Sequence, residues 1–361
     1  MVSIVVPTRD RERHLERCLT ALGTQRLPAA GLQIVVVNDG SVGMPEQVVA
    51  RVIRNVMGES ENPGHFEKHT GRLATPTFEV VSSGRGDGRA GGVNQARNRG
   101  LAAAWGDPIA FVDDDLEVAP DWASRLQQTV GLHPEAGCIG GRYDLHAEPP
   151  PRFGCGRDHL GHLSFPPPEL QSRAGGVRGE ASAAAPWPVE EVWGANLAVR
   201  RWAIERVGRF DEAFSGAGDE IEWQMRLRRA GGQILYDPGL RARHWRHPEE
   251  LRLWSLMRSQ FRRERTRPQF WLRQPAELKL PAELQLPAEL QLPAGPVDLR
   301  ARAWRSAAQA LRCLGHALRY RCRGGLIDGS GYLGLGLGCL ELSSAVARRT
   351  RAQARRQEES R

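Results

Sequence analysis

The sequence predicts an α/β protein built on a mostly parallel sheet flanked by helices, with a mostly helical C-terminal extension. Short apolar runs rich in β-branched residues alternate with segments whose leucines recur at helical spacing. Several of these runs end abruptly in polar side chains, as strands do at the ligand-binding edge of a parallel sheet. The 361 residues, 40% of them hydrophobic, suffice for a large buried core.

The first 41 residues have the pattern of a strand, a helix and a second strand. Met1–Pro7 is the first apolar run, and a polar turn at 8–11 separates it from leucines at helical spacing. The second run, 32–37, ends at a polar turn that contains Asp39. A helix between two such strands implies a parallel pair. Asp39 then either accepts hydrogen bonds from a nucleotide's base or ribose or closes its own turn.

A glycine-rich loop that bears arginines, at 84–92, precedes a helix predicted at 93–101. A surface loop at 55–76 and a third strand at 78–82 come before it. Free backbone N–H groups at a helix start, with arginines beside them, favour an anion. The loop has neither a Walker lysine nor the glycine spacing of dinucleotide-binding proteins. It is therefore a candidate phosphate site, with a solvated helix face as the alternative.

The fourth strand, 109–112, ends in three consecutive carboxylates, Asp113, Asp114 and Asp115. Like charges side by side repel one another, so a cation is expected among them. Adjacent hard carboxylates without cysteine suit Mg²⁺ or Mn²⁺, and such an ion usually carries phosphate oxygens as well. The alternative is that the three residues cap the helix predicted at 121–130.

The pattern then becomes less regular. A strand is predicted at 137–141, and the segment 149–188 is long, rich in proline and glycine, and expected to be a lid or disordered. A further strand is predicted at 191–199.

A second acidic group stands at the start of a helix. Glycines precede Asp219 and Glu220, and Gly231 closes the helix, an arrangement that the helix dipole favours. Two short strands follow at 233–236 and 240–245, and the second carries His244.

The net charge of +8 comes from the C-terminal region. Residues 297–361 contain 13 basic and 5 acidic residues, so the rest of the chain is neutral overall. A neutral body with a basic tail favours an acidic surface such as a membrane over a basic groove for nucleic acid. We therefore expect no nucleic-acid partner.

The tail begins after a hexapeptide that occurs three times between 275 and 292 with proline first, which predicts a stiffened linker. One face of the next helix carries apolar residues flanked by arginines: Trp304, Leu311, Leu314 and Leu318, with Arg305, Arg312 and Arg319. Such a helix lies on a membrane surface, packs on the body or packs on a second copy, and the pattern does not choose among them. Charged residues within 326–346 argue against a membrane span there.

The cysteines and the N-terminus bear on location. Six cysteines without a Cys-x-x-Cys pair argue against a disulfide framework and against a zinc site. No basic and then apolar leader is visible at the N-terminus. A cytoplasmic location is expected, with peripheral attachment at the inner face of the plasma membrane through the basic tail.

Five motifs occur in one order along the chain. They are Val5-Val6-Pro7-Thr8-Arg9-Asp10, Val37-Asn38-Asp39-Gly40-Ser41, Gly92 with Ala96-Arg97-Asn98-Arg99-Gly100-Leu101, Val112-Asp113-Asp114-Asp115, and Phe210-Asp211-Glu212 with Gly218-Asp219-Glu220. Together they resemble the family 2 glycosyltransferases, which have the GT-A fold with its Rossmann-like sheet. The resemblance runs from Met1 to about Arg265. It implies an inverting, metal-dependent transfer from a nucleotide-diphosphate sugar to an acceptor hydroxyl of a glycan, a lipid-linked sugar or a small molecule.

The resemblance also implies roles for single residues. A nucleotide-sugar-binding role falls on Pro7, Thr8, Arg9, Asp39, Arg97, Asp113 and Asp114. The role of ligand to Mn²⁺ or Mg²⁺ falls on Asp115. His244 either completes the metal shell or is a structural histidine. Trp193, Trp223 and His247 are candidates for the acceptor pocket.

The catalytic base is expected in the second acidic pair. Members of the family usually have Glu-Asp there, whereas this chain has Asp219-Glu220. Alignment on Ile221, Glu222 and Arg226 puts Glu220 at the position of the base. Asp219 is the alternative, because a carboxylate of either length can take the proton.

The implied organisation is a glycosyltransferase domain at 1–268, made of a nucleotide-binding half (1–115) and an acceptor half (116–268). A linker at 269–296 and a basic helical tail at 297–361 follow it.

Two other functions stay open on the sequence. A sugar-phosphate nucleotidyltransferase would favour a glycine-rich phosphate loop directly after the first strand, where this chain has Pro7-Thr8-Arg9-Asp10. A non-catalytic protein that binds sugar nucleotides or polyanions is compatible with the charge of the tail.

Overall fold

The computed structural model describes residues 1–25, 31–43, 45–57, 76–83, 91–147, 185–214, 219–273, 299–320, 326–337 and 339–341. These residues belong to two compact units. The first contains the described residues up to His146, together with 185–214 and 219–246. The second includes those from His247 onward.

The first unit alternates strands and helices. Its elements in chain order are β1 (Val2–Thr8), α1 (Glu12–Gly23), β2 (Leu32–Asn38), α2 (Pro45–Met57), β3 (Thr77–Ser82), α3 (Val93–Ala103), β4 (Ile109–Val112), β5 (Leu116–Val118), α4 (Trp122–Leu132), β6 (Ala136–His146), β7 (Trp187–Pro188), β8 (Asn196–Val199), α5 (Arg201–Val207), α6 (Asp219–Arg229) and β9 (Gln233–Trp245).

The strands form one sheet in the order β3-β2-β1-β4-β8-β6-β9-β5, and β7 pairs with β9. Strands β3, β2, β1 and β4 are parallel, so their carboxyl ends lie at one edge. The sheet is mixed beyond β4, since β8 is antiparallel to both of its neighbours and β5 is antiparallel to β9. The predicted α/β fold with a central sheet flanked by helices is confirmed.

The core follows from the apolar runs that predicted the strands. Side chains along β1, β2 and β4 are almost completely buried, as expected for strands covered on both faces. Helix α1 buries Leu15, Cys18, Leu19 and Leu22, the residues whose spacing predicted it. Helix α3 approaches β1 closely, because Gly100 leaves room for Val5.

Helix α2 was not predicted, and its last turn occupies residues 55–57, which were assigned to a surface loop. That part of the loop prediction is wrong. The signal was present in the sequence, because Val48, Val49 and Val52 recur at helical spacing and are buried.

Strand β9 is a single strand, whereas two short strands were predicted around Asp237-Pro238-Gly239. The strand continues because the carboxylate of Asp237 is buried and bonded. It accepts hydrogen bonds from Arg125 Nε (2.9 Å) and from the N–H of Gly239 (2.8 Å). The pairing with β6 absorbs the irregularity as a shift of register after Gly141.

Several predicted segments lie outside the described residues. They are loop residues 58–75 and 84–90, most of the irregular segment (148–184), the glycines at 216 and 218, the repeats at 275–292, and the end of the chain from 342. Residues 269–273, predicted as linker, are the last residues of the helix Leu253–Arg273.

The second unit is helical where it is described. It contains α7 (Leu253–Arg273), α8 (Leu299–Tyr320) and a helical segment at 326–337 and 339–341, called here the glycine-rich helix. Ser330 Oγ donates to the carbonyl of Met257 (3.0 Å), and Arg265 Nε donates to Glu341 (2.9 Å). Among the described helices, none combines the length and apolar character that crossing a bilayer requires.

Two glycines inside helices give a matched test of the packing. A Cβ at Gly100 would overlap the methyl groups of Val5, whereas a Cβ at Gly131 in α4 would meet nothing within 4 Å. We expect Gly100→Ala to lower the free energy of unfolding by about 1–3 kcal/mol through overpacking. Gly131→Ala should leave it unchanged or raise it by up to about 1 kcal/mol, the helix preference of alanine over glycine. Urea unfolding monitored by tryptophan fluorescence measures both, and equal effects would contradict the close approach of α3 to β1.

Candidate active site

The carboxyl ends of β1, β2 and β4 bring the predicted polar residues to one edge of the sheet. Thr8 ends β1 and donates through Oγ1 to Oδ2 of Asp114 (2.8 Å). The N–H of Asp39 donates to the carbonyl of Thr8 (2.9 Å). Pro7 lies in β1 opposite Val37 of β2. The parallel register therefore sets these side chains beside the three carboxylates that follow β4.

Asp39 is bonded to the loop that enters α3. Its carboxylate accepts hydrogen bonds from Ser83 Oγ and the N–H of Gly91, both at 2.8 Å, and from the N–H of Gly92 (3.2 Å). The local turn is closed by Asn38 instead, whose Oδ1 accepts from the N–H of Ser41 (2.8 Å). Asp39 thus fixes the start of α3, and its predicted contact with a base or ribose stays a prediction.

Asp115 has the most partners among the three carboxylates. Its Oδ2 is 2.8 Å from Nη1 of Arg11 and 3.1 Å from Nη1 of Arg246. Its Oδ1 is 3.4 Å from Nε2 of His244 and accepts no hydrogen bond from the described residues. Asp115 is buried, and the guanidinium groups of Arg11 and Arg246 at Oδ2 balance its negative charge. Oδ1 keeps lone pairs that accept no hydrogen bond from the described residues.

Strand pairing brings His244 to Asp115. Strand β5 starts immediately after Asp115 and runs antiparallel to β9, with Leu116 opposite His244. The N–H of Trp245 also donates to the carbonyl of Asp115 (2.9 Å). The distance from His244 to Asp115 is therefore set by backbone register.

The carboxylates differ in pKa. Burial opposes the ionisation of Asp115, but His244, Arg246 and Arg11 outweigh it and hold the pKa of Asp115 below its ordinary value. Burial and the charge of Asp115 raise the pKa of Asp114 to about 6, although Arg11 and Thr8 favour its ionised form. Burial, with the charge of Asp115, also raises the pKa of Asp113. Asp115 is thus the member that stays charged at low pH.

Arg11 was not predicted as a site residue. Its Nη1 also lies 3.1 Å from Oδ1 of Asp114, so it bridges two carboxylates. Arg9, which was predicted, has a largely exposed side chain 3.8 Å from Asp10. The signal for Arg11 was its place in the polar turn after β1, but only the fold shows which arginine of that turn reaches the carboxylates.

Asp115 and His244 fit the role of metal ligands. Oδ1 of Asp115 and Nε2 of His244 lie 3.4 Å apart, a spacing that two ligand atoms can have when each binds one ion at about 2.0–2.2 Å. Arg246 Nη2 is 2.7 Å from Nε2. Since a guanidinium only donates, Nε2 accepts this hydrogen bond, and Arg246 would have to release it for His244 to bind a cation. Among the described residues, no three His, Cys, Asp or Glu side chains converge on one point, so a metal here would need ligands from the substrate.

A second charged group is formed by Arg97, Asp219 and Glu220. Arg97 is buried on α3, and its Nη1 lies 3.2 Å from Oδ2 of Asp219 and donates to Oδ1 of Asn94 (2.9 Å). Glu220 is less buried than Asp219, and its Oε1 accepts from the N–H of Gly194 (3.1 Å). A Cβ at Gly194 would overlap Nη2 of Arg97, so glycine allows this close approach.

The two carboxylates of this pair have opposite pKa shifts. Burial, with the charge of Glu220, raises the pKa of Asp219 well above its ordinary value despite Arg97. Burial also acts on Glu220, but its hydrogen bond with Asp219 and the charge of Arg97 hold the pKa of Glu220 below its ordinary value. Glu220 is therefore the carboxylate that is ionised first and the one better exposed to solvent.

Helix α3 positions this second group. Asn94 donates through Nδ2 to the carbonyls of Asp211 (2.9 Å) and Asp219 (3.1 Å). Asn98 donates to the carbonyl of Phe210 (2.9 Å) and accepts from its N–H (3.1 Å). The asparagines thus tie the segment before α6 to the helix that carries Arg97.

Residues 194 and 195 connect the two acidic groups. The N–H of Gly194 donates to Glu220, and the carbonyl of Ala195 accepts from the N–H of Asp113 (3.0 Å). The preceding Trp193 contacts Tyr143, which in turn contacts the ring of His244 (centroids 5.6 Å apart). The structure therefore brings the predicted metal residues and the predicted base into one site.

The candidates for the acceptor pocket are placed differently. Trp193 is half-buried beside the site. Trp223 is completely buried, and its Nε1 donates to the carbonyl of Gly208 (2.8 Å), so it is a core residue and its assignment to the pocket is wrong. His247 belongs to the second unit.

The fold and this edge define an α/β protein with a nucleotide-binding type of sheet and acidic residues at its carboxyl edge. Residues 76–168 match the family model described as Glycosyl transferase family 2. The putative glycosyltransferase EpsH of Bacillus subtilis is 26% identical over 130 residues, which is 36% of this chain and 30% of that protein. The pre-mycofactocin glycosyltransferase of Mycobacterium tuberculosis is 27% identical over 257 residues, 70% of this chain and 44% of that protein. The chain thus spans less than half the length of these relatives.

A solved structure has a similar fold. It is the mannosyltransferase PcManGT from Pyrobaculum calidifontis in complex with GDP-Man and Mn²⁺, with 20% identity and a TM-score of 0.52 over 92% of this chain and 86% of that one. The chain is thus similar to family 2 glycosyltransferases over part of its length, and the predicted GT-A fold is confirmed.

Asp114→Asn tests the electrostatics of the cluster. An aspartate whose pKa is raised to about 6 holds its proton in the folded state while the unfolded chain ionises near pH 4. The free energy of unfolding therefore falls as pH rises between these values, by up to about 3 kcal/mol. Asparagine removes this loss, so the variant should gain stability relative to the native chain from about pH 4 to about pH 7.

Urea unfolding across this pH range without divalent cations measures the difference. Asp121→Asn, at an exposed neighbouring position, is the control for general effects of acid. A difference that does not change with pH would contradict the raised pKa of Asp114.

Proposed function

We propose that this chain is an inverting, divalent-metal-dependent glycosyltransferase that moves a sugar from a nucleotide-diphosphate sugar to an acceptor hydroxyl. The observation that carries the proposal is one site with two acidic groups of different character. In one, Oδ1 of Asp115 accepts no hydrogen bond from the described residues and lies 3.4 Å from Nε2 of His244. In the other, the pKa of Glu220 is lowered and its side chain is only partly buried. The match of residues 76–168 to the glycosyltransferase family 2 model supports the reaction class.

The donor would lie along the carboxyl ends of β1, β2 and β4. Pro7, Thr8 and Asp39 would contact the base and ribose, with Arg9 at the rim. Asp113 and Asp114 would face the ribose or the transferred sugar. Arg97, whose guanidinium lies beside Asp219, would contact the donor. The similar mannosyltransferase, described with GDP-Man and Mn²⁺, supports a nucleotide sugar as donor.

Asp115 and His244 would hold Mn²⁺ or Mg²⁺. A divalent cation there supplies Lewis-acid stabilisation of the negative charge that develops on the leaving nucleoside diphosphate. Arg11 and Arg246 lie within hydrogen-bond distance of Asp115 and would contribute positive charge at the same place. The charges are held before the reaction, so little reorganisation is needed when the diphosphate leaves.

Glu220 would be the general base. A hydroxyl is a poor nucleophile, and its attack needs a proton acceptor within hydrogen-bond reach. The lowered pKa of Glu220 keeps it ionised, and Gly194 and Asp219 orient it. Asp219 is buried against Arg97 and has a raised pKa, so it suits a positioning role. A single base facing the acceptor implies inversion at the anomeric carbon in one displacement.

A panel of sugar nucleotides tests the proposed reaction. The true donor should raise the melting temperature by mass action, and the rise should be larger with Mn²⁺ than without it. Transfer to an acceptor, or slow hydrolysis of that donor, should follow, with an inverted anomeric configuration by NMR. No stabilisation by any sugar nucleotide would overturn the proposal.

Glu220→Gln tests the base. Gln keeps the size of the side chain but cannot take a proton, so kcat should fall by about 100-fold or more. The donor's Kd, from calorimetry, should change little. Glu222→Gln, on the same helical turn and paired with Arg226, is the matched control and should retain activity. A larger loss of kcat in Asp219→Asn than in Glu220→Gln would instead assign Asp219 as the base.

Asp115→Asn tests the metal site. The substitution removes the charge but keeps the shape, so we expect the Mn²⁺-dependent part of donor stabilisation to disappear and turnover to fall by about 100-fold or more. Manganese titration followed by calorimetry measures binding directly. Asp121→Asn, on the exposed surface nearby, is the control. Unchanged manganese binding by Asp115→Asn would exclude Asp115 as a ligand.

A further inference from the structure

The glycine-rich helix packs in the second unit through its smallest residues. Gly336 lies against Ala303 and Ser306 of α8, with contacts of 3.3–3.5 Å for an added Cβ, and Gly329 lies near Ala310 in the same way. On the side facing α7, a Cβ at Gly334 would collide with the carbonyl of Phe261. The helices therefore approach at backbone distance, and small residues occupy much of the interface.

Three leucines of this helix point outward, whereas Ile327 and Leu335 are buried. Leu333, Leu337 and Leu340 follow one another at a spacing of three and four residues, which is one helical face. All three are exposed, Leu333 by 54%. A water-facing helix normally carries polar side chains at such positions.

Helix α8 likewise buries small residues and exposes large apolar ones. Its inward positions are the small residues Ala303, Ser306 and Ala310. Its exposed residues include Trp304 (77%), Leu311 (69%) and Leu314. Two neighbouring helices thus contact each other largely through small residues and expose five leucines and a tryptophan, and an exposed apolar surface of this kind marks an interaction site.

The charge of α8 indicates what binds this exposed apolar surface. The exposed apolar residues of α8 alternate with Arg305 and Arg312, and the 22 residues of α8 contain five arginines and no acidic residue. A second copy packed face to face would bring arginines against arginines. An anionic lipid surface instead accepts the arginines at its headgroups and the leucines and tryptophan below them.

We propose that the second unit docks on an anionic lipid surface through the outward faces of α8 and the glycine-rich helix. Both helices would lie in the plane of the interface. The arginines contact headgroups, and Trp304, Leu311 and the exposed leucines of the glycine-rich helix enter the boundary with the acyl chains. The proposal is independent of the reaction at the carboxylate site.

Flotation of the full chain with vesicles tests it. The chain should float with vesicles that mix phosphatidylglycerol into phosphatidylcholine and should float much less with phosphatidylcholine alone. The double variant Arg305→Gln/Arg312→Gln should lose binding by about fivefold per arginine and should be less sensitive to salt. Arg13→Gln, at an exposed position in the first unit, is the control for charge.

The apolar contribution has its own matched pair. Leu333→Gln/Leu337→Gln should lower partitioning by at least tenfold. Leu132→Gln, at a more exposed leucine of the first unit (68%), should not change it. An unchanged melting temperature in each variant verifies the fold. The proposal is overturned if the native chain does not float, or if the face variants float as well as the native chain. It is equally overturned if light scattering finds a dimer without lipid that the arginine and leucine double variants convert to monomer, since a second copy would then bind this surface.

Discussion

The site depends on balancing three adjacent carboxylates at the end of a buried strand. An unpaired buried carboxylate is costly, and neighbouring ones repel each other. Here the positive partners gather on Asp115, while burial raises the pKa of Asp113 and Asp114. The cluster therefore carries its firmest negative charge beside His244. That is where a cation gains most from it, because the surroundings exclude water and screen little.

The mixed half of the sheet supplies this balance. The parallel strands β1, β2 and β4 place the acidic residues at one edge of the sheet. Two of the basic partners of Asp115 come instead from the antiparallel part of the sheet. Strand β9 pairs with β5 near its C-terminal end, and this pairing brings His244 and Arg246 to Asp115. A slip of one residue in this pairing would turn His244 to the opposite face. The antiparallel register of a three-residue strand thus decides whether the carboxylate has its partners.

The sequence predicted those parts of the fold and the site that depend on local patterns. Continuous apolar runs predicted β1, β2 and β4, and the polar residues after them had to share an edge once the strands were parallel. The partners of those residues could not be predicted locally. Arg11 is more than a hundred residues from Asp115, and nothing in the polar turn distinguishes it from Arg9. Helix α2 differs, because its valine spacing was visible. Asp237 shows a third case, in which burial of a turn-like residue keeps a strand continuous.

The two acidic groups solve one problem in the same way. In each, burial raises the pKa of all the carboxylates, and unequal partners then separate them. The member with the better donors stays ionised: Asp115 with two guanidinium groups, Glu220 with the N–H of Gly194 and with Asp219. The neighbour takes the raised pKa. A site that must hold a cation and accept a proton at the same pH needs this division, because a protonated acid does neither. In the proposed reaction, the surroundings of each carboxylate and not its side-chain type would therefore set its role.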